Sequence, residues 1–176
     1  MKKLIITFAI ALLPTLLFSQ AIFDKFDGKD DVVSLIVGPK LFQMMGNVKM
    51  DSKDKNDQLY LNLVKKLDNL RVFTTSSTAI GADMKATSEK YTRSAGLEEL
   101  MRVNDSGKSI KILVKSGSNS SQIKELLMFI EGSGKENQSV LMSLTGDFDL
   151  DEISVLTDKM KFPGGDALKK AAKSKK

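Results

Sequence analysis

Residues 109–115 have the sequence SIKILVK, and this stretch decides the fold class. From residue 110, branched apolar residues occupy every second position, and two lysines and a leucine occupy the positions between them. Because successive side chains of a strand point to opposite faces of a sheet, the pattern predicts a half-buried antiparallel strand. The sequence GSNS at residues 117–120 predicts that a turn follows.

The next stretch, residues 122–131, has the sequence QIKELLMFIE and fits two structures. Its leucines and isoleucines have helical spacing, but its alternate residues also form two apolar faces of a strand. Residues 132–134 then have the loop sequence GSG, and residues 139–145 return to clean alternation. A hairpin that joins the two runs is the simpler interpretation, so the sequence predicts a strand for residues 122–131.

The remaining elements follow from the same two periodicities. Strands are predicted at residues 31–37 and 70–76, a helical turn at residues 41–45, and helices at residues 58–68, 78–94 and 149–160. After Gly96, the spacing of Leu97, Leu100 and Met101 predicts a short helical continuation. This order predicts an α+β domain, in which one small sheet of about five mostly antiparallel strands has helices packed on one face.

The N-terminal segment has the features of an export signal. Lys2 and Lys3 precede an apolar run at residues 4–18, and the small residue Ser19 follows. This run is shorter than the roughly 20 apolar residues that span a bilayer. We therefore predict a signal peptide at residues 1–19, cleaved near Ser19/Gln20, and a periplasmic or secreted chain without a transmembrane helix. A single domain at residues 20–162 and a flexible basic tail at residues 163–176 complete the predicted organisation.

The charge of the chain is concentrated near its C-terminus. Formal net charge is +5, with 27 basic and 22 acidic residues. Without the signal peptide and the tail, acidic residues outnumber basic ones, so nucleic acid is an unlikely partner of the fold. The tail itself could contact anionic lipid headgroups through five lysines. They are Lys169, Lys170, Lys173, Lys175 and Lys176.

Three residue types are missing, and their absence excludes several kinds of chemistry. The chain has no Cys, His or Trp. Without Cys it can form no disulfide or thiolate nucleophile, and without His it can form no Ser-His-Asp triad or histidine-ligated metal centre. We therefore expect no cofactor, and the sequence nominates no catalytic residue.

Two further segments carry a resemblance to a known family. Residues 96–103 have the sequence GLEELMRV and lead into a strand, and residues 144–153 have the sequence LTGDFDLDEI. Together with the signal peptide, they resemble the domain-of-unknown-function family 4252, exported proteins of Gram-negative bacteria. The resemblance implies an α+β domain in the cell envelope and supports the strand at residues 122–131. It carries over no catalytic residue. Some relatives have a lipid-accepting Cys after the signal, which this chain lacks.

An acidic segment has the spacing of a calcium loop. Asp147, Asp149 and Asp151 alternate, but Glu152 occupies the position where such a loop needs Gly. The same residues fit the start of a helix, with Asp149 as the N-cap and Glu152 completing a capping box. Helix capping is the preferred interpretation, so we predict no metal site.

A cluster of hydroxyl groups at residues 74–78 allows a catalytic alternative. A serine nucleophile with a lysine base needs no His, and Lys85 or Lys111 could serve. Such a lysine must be buried to lower its pKa, and both lie on polar faces of their predicted elements. Carboxylate chemistry is a further alternative, although the paired acids are adjacent in sequence and do not face each other across a cleft.

The function best supported by these patterns is non-catalytic binding. Apolar side chains surround the turn at residues 41–45 on more than one side. This turn, or a sheet face that no helix covers, is the predicted surface for an envelope protein or another envelope component. The candidate binding residues are Leu41, Phe42, Met44 and Met45, together with the tail lysines. The alternatives are a hydrolase that needs no His, and a membrane-surface protein held by its lysine tail.

Overall fold

A computed structural model describes residues 21–48, 55–105, 107–119, 121–132, 138–149, 152–153 and 166. These residues form a 3₁₀ segment, three helices and six strands. The 3₁₀ segment is Ala21–Phe26, and the helices are α1 (Pro39–Gly46), α2 (Lys55–Lys66) and α3 (Thr78–Ala95). The strands are β1 (Val32–Val37), β2 (Leu67–Thr75), β3 (Glu98–Asp105), β4 (Lys108–Ser116), β5 (Gln122–Glu131) and β6 (Ser139–Asp149).

The strands form one sheet with the order β1-β2-β6-β5-β4-β3. Every neighbouring pair is antiparallel. The predicted α+β class and the strand at residues 122–131 are therefore confirmed. Strands β5 and β6 lie at the centre of the sheet, while β1 and β3 are its two edges.

The sheet has one strand more than the predicted five, because β3 was wrongly expected to continue the preceding helix. Its register with β4 shifts between Glu99 and Met101, which leaves Leu100 as an extra residue. Leu100 and Met101 consequently both pack on one core, while Leu97 packs on the other. A bulge in a strand thus produced the spacing that the sequence analysis interpreted as helical.

Helices cover both faces of the sheet, so the prediction of helices on one face is wrong. Phe42 of α1 and Leu63 of α2 pack on one face, which we call the α1–α2 face. Met84 and Tyr91 of α3 pack on the opposite face, the α3 face. The reason lies in the central strands: β5 buries apolar side chains on both of its faces, and each face needs a cover.

The 3₁₀ segment, to which the sequence analysis assigned no structure, fills the α3 face near β2. Phe23 and Phe26 are fully buried. The Phe23 ring meets Tyr91 edge-on, with 5.0 Å between ring centroids, and the Phe26 ring lies 5.9 Å from Phe73. The only sequence signal was the spacing of two phenylalanines by three residues.

Helix α3 confirms the helix predicted at residues 78–94, and the residues at its two ends explain where it begins and ends. The Ser77 hydroxyl caps the start by accepting from the backbone N–H of Ile80. Gly96 ends the helix with a φ of 68°, a left-handed conformation that glycine adopts without strain. The chain then turns directly into β3.

The predicted helix at residues 149–160 is described only at its start. Glu152 and Ile153 are helical, and the backbone N–H of Asp149 donates to Glu152 Oε2 over 3.0 Å. Phe148 and Ile153 are both buried. Residues 154–160 lie outside the described residues, as do the predicted signal peptide and the tail lysines. No helix in the described ranges has the length and hydropathy to span a membrane.

Candidate binding surface

Large apolar side chains are exposed in one region of the described structure. They belong to the edge strand β1, to α1, to the residue pair after α1, and to α2. Strand β1 pairs with β2, α1 packs on β2, and α1 and α2 pack on each other. We call this region the apolar edge. Its members are Val33, Leu35, Ile36, Leu41, Met44, Val48 and Leu59.

Helix α1 divides the predicted binding residues into two pairs. Phe42 is buried and Met45 is half-buried on the α1–α2 face, so these two side chains hold the helix to the core. Leu41 and Met44, three residues apart on the helix, point outward with 46% and 60% of their surface exposed. Of the four predicted binding residues of α1, two therefore anchor the helix to the core and two form accessible surface.

The local sequence explains where α1 forms. Gly38 is extended, and Pro39 occupies the first turn, where its missing N–H costs no hydrogen bond. At the other end, the Asn47 backbone N–H donates to the carbonyls of Met44 and Met45. The helix thus begins directly after β1 and brings Leu41 and Met44 next to the sheet edge.

Strand β1 contributes exposed apolar residues that were not among the predicted binding residues. It pairs only with β2, in unbroken register from Val32↔Thr75 to Val37↔Leu70. Val33 and Leu35 lie on the α1–α2 face and Ile36 on the α3 face, with 74%, 45% and 43% of their surface exposed. The sequence predicts this strand correctly, but its exposure depends on its place in the strand order.

The opposite edge strand has a different chemical character. Strand β3 carries charged side chains and the bulge described above. Arg102 pairs with Glu99 at 2.5 Å, and the Arg102 guanidinium lowers the pKa of the Glu99 carboxyl below its ordinary value. Charges and bulges on an edge strand discourage further strand pairing. Strand β1 has neither.

Among the described residues, one carboxyl group lies inside the α3 face. Glu125 is only 5% exposed, and burial raises the pKa of this carboxyl above its ordinary value. The Tyr91 hydroxyl donates to its Oε2 over 2.8 Å, and the Ser143 hydroxyl lies 3.4 Å from its Oε1. Glu125 lines neither of the two clefts that hold the hydroxyl cluster.

Most of the hydroxyl cluster lines one of these clefts, and Lys85, a proposed lysine base, lines the other. Thr74, Thr75, Ser76 and Ser77 line an open cleft of about 590 Å³, and no lysine is among the described residues of its lining. Lys85 lies along a second cleft, which Thr78 shares, and pairs with Glu131 at 2.7 Å. Thr75 donates to the Asp31 carbonyl and Ser77 caps α3, so both hydroxyls have structural partners.

The acidic segment forms ion pairs and a cap. Asp147 Oδ2 lies 2.8 Å from Lys124 Nζ, and Gln122 donates to the other carboxyl oxygen. Glu152 pairs with Lys66 and accepts from the Asp149 backbone. Asp151 lies outside the described residues. Within the described ranges, no three acidic side chains converge on a point that could hold a metal ion.

Comparison with known proteins identifies one family. The family described as a domain of unknown function, DUF4252, matches residues 26–156. This match covers most of the chain and confirms the resemblance found in the sequence. No curated protein matches, and neither does any solved structure.

Proposed function

The chain belongs to the DUF4252 family, and we propose that it is an exported, non-catalytic binding domain of the cell envelope. One observation carries this proposal: the apolar edge leaves large side chains exposed at one end of an otherwise well-buried fold. We assign recognition of an envelope component to the helical part of the edge, which is Leu41, Met44, Val48 and Leu59.

The energetics favour non-covalent recognition. Removing apolar surface from water contributes about 25 cal/mol per Å². A large side chain that is half-exposed would therefore contribute about 1 kcal/mol when a partner covers it. Four such side chains on α1, α2 and the residue pair after α1 give an apolar centre, and the exposed Lys40 and Lys65 belong to the same two helices. An apolar centre with a polar rim is typical of protein interfaces.

Export is supported by the sequence of residues 1–19 and by the position of the first packed residues. Cleavage after Ser19 would leave the whole 3₁₀ segment, including Phe23 and Phe26, in the mature chain. The mature domain would therefore keep the aromatic contacts that close its α3 face.

The experiment is affinity capture from a Gram-negative envelope fraction, with the chain from Gln20 as bait. We expect a component that the original sequence retains and that a Leu41→Lys/Met44→Lys variant loses. Lysine is a good helix former, so α1 should tolerate both changes. The control variant is Lys90→Ala, at an exposed position of α3 on the other face of the sheet. Equal capture by the lysine variant and the control would overturn the assignment.

A further inference from the structure

We propose that the strand part of the apolar edge binds a second copy of this chain, with β1 of each copy paired antiparallel about a two-fold axis. The two sheets would then form one continuous sheet. This inference rests on the proposed function only in taking the apolar edge to be a binding surface. It assigns the second copy to β1, whereas the proposed function assigns the envelope component to the helical part of the edge.

The first argument is the contrast between the two sheet edges. An edge strand offers unpaired backbone groups, and proteins usually protect such strands with charges, prolines or bulges. Strand β3 has a bulge and the Arg102–Glu99 ion pair. Strand β1 has the uncharged sequence VVSLIV and an unbroken register with β2. Of the two edges of the described sheet, only the β1 edge therefore lacks the features that discourage pairing with a further strand.

The second argument is that exposed apolar side chains occur on both faces of β1. Val33 and Leu35 are on the α1–α2 face, and Ile36 is on the α3 face. A helix or a loop lying on one face would leave the other face exposed. A strand added beside β1 would contact apolar side chains on both faces at once, since cross-strand neighbours lie about 5 Å apart.

The third argument concerns charge, and it favours a second copy of this chain as the partner of β1. Asp30 and Asp31 precede β1, with Lys29 and Asp27 just before them, so this end is acidic overall. Lys40 follows the other end, in the first turn of α1. In antiparallel pairing of two copies, the acidic end of each strand lies beside the basic end of the other. The strand is thus complementary to itself, as a two-fold interface requires.

Cysteine substitution can test this pairing, because the chain contains no cysteine of its own. We expect Ser34→Cys or Leu35→Cys to give a disulfide-linked dimer on mild oxidation, since a disulfide needs Cα atoms within about 7 Å. Arg102→Cys, at a similarly exposed position on β3, should form no disulfide-linked dimer under the same oxidation. Disulfide-linked dimers from Arg102→Cys as readily as from the β1 variants would overturn the proposal.

The mass in solution gives an independent test. Sedimentation of the chain from Gln20 should show a dimer at micromolar concentration, and Leu35→Lys should halve this mass while circular dichroism shows an unchanged fold. Glu98→Lys, the matched change on the β3 edge, should remain a dimer. A monomeric original chain, or a dimeric Leu35→Lys variant, would overturn the proposal.

The two proposals can fail separately. If the chain is monomeric but captures an envelope component through Leu41 and Met44, only the inference about β1 falls. If the chain dimerises through β1 but captures no component, only the proposed function falls.

Discussion

The Tyr91 hydroxyl donates a hydrogen bond of 2.8 Å to Glu125 Oε2 inside the α3 face of the sheet. Glu125 is the only buried ionisable carboxyl or amine among the described residues. Lys115 and the hydrogen bonds from Tyr91 and Ser143 favour its charged form, but desolvation outweighs them and raises the pKa of Glu125. The carboxyl therefore makes the stability of the domain depend on pH.

Glu125→Gln should stabilise the domain at neutral pH. The ordinary pKa of the carboxyl is 4.5, and the pKa in the folded state lies above it. As the pH rises through these two pKa values, the unfolded state ionises first, so the folded state loses stability. Glutamine can still accept from Tyr91 and carries no charge. We expect the midpoint of thermal unfolding to be higher for Glu125→Gln at pH 7.

The pH dependence of this gain is the control. Below pH 4.5 the original carboxyl is protonated in both states, so the advantage of Glu125→Gln should disappear there. A gain that is equal at pH 4 and pH 7 would contradict the account.

Phe26→Ala should destabilise the domain by about 3–5 kcal/mol, as large-to-small substitutions of buried aromatic residues do. The Phe26 ring is fully buried against Phe73, and its removal would leave a cavity beneath the 3₁₀ segment. Urea denaturation of the chain from Gln20 measures this loss. Lys90→Ala, at an exposed position of α3 outside both proposed binding surfaces, should change the free energy of unfolding by less than about 0.5 kcal/mol.

Gly146→Ala should also be destabilising, because β6 passes close to the chain at the start of β2. A Cβ at residue 146 would collide with the Lys66 carbonyl oxygen and would lie 2.9 Å from Leu67 Cα. Backbone atoms cannot rotate away as a side chain can, so we expect a loss of at least about 1–3 kcal/mol. At Gly38, the N-cap of α1, the same substitution meets no atom within 4 Å, and we expect only the smaller loss of a less favourable N-cap residue.

Glu152→Ala should weaken the attachment of the segment that follows β6. The Glu152 carboxylate pairs with Lys66 and accepts from the Asp149 backbone N–H, so the substitution removes both contacts. Loss of a helix cap costs about 1 kcal/mol. Glu152→Gln keeps an acceptor for the backbone N–H, and we expect its free energy of unfolding to fall by less. Equal losses for both variants would contradict the role of the cap.

Most strands could be predicted from the sequence because their side chains alternate without interruption. Bulges account for the error at β3 and for the ambiguity at β5. In β5, the register with β4 shifts near Lys124, so Ile123 and Leu126 pack on the same face although they are three positions apart. This spacing imitates a helix, as does that of Leu100 and Met101 in β3. Periodicity alone cannot locate a bulge, because the bulge is defined by the partner strand.

The candidate surface was only partly predictable for a related reason. Leu41 and Met44 could be nominated because α1 is apolar on opposite sides, which is a local property of the sequence. Val33, Leu35 and Ile36 belong to an apolar strand that looks like a buried one. Their exposure follows from the strand order, in which β1 has a single neighbour. Strand order is a property of the whole chain, and no local pattern reveals it.

We propose above all that the apolar edge binds other molecules in the cell envelope. Photo-cross-linking in intact Gram-negative cells tests it most directly, with benzoylphenylalanine placed at Met44 in one variant and at Lys90 in another. We predict covalent adducts with envelope components from residue 44 and none above background from residue 90. The same yield of adducts from both positions, or adducts formed only with cytoplasmic proteins, would contradict the account.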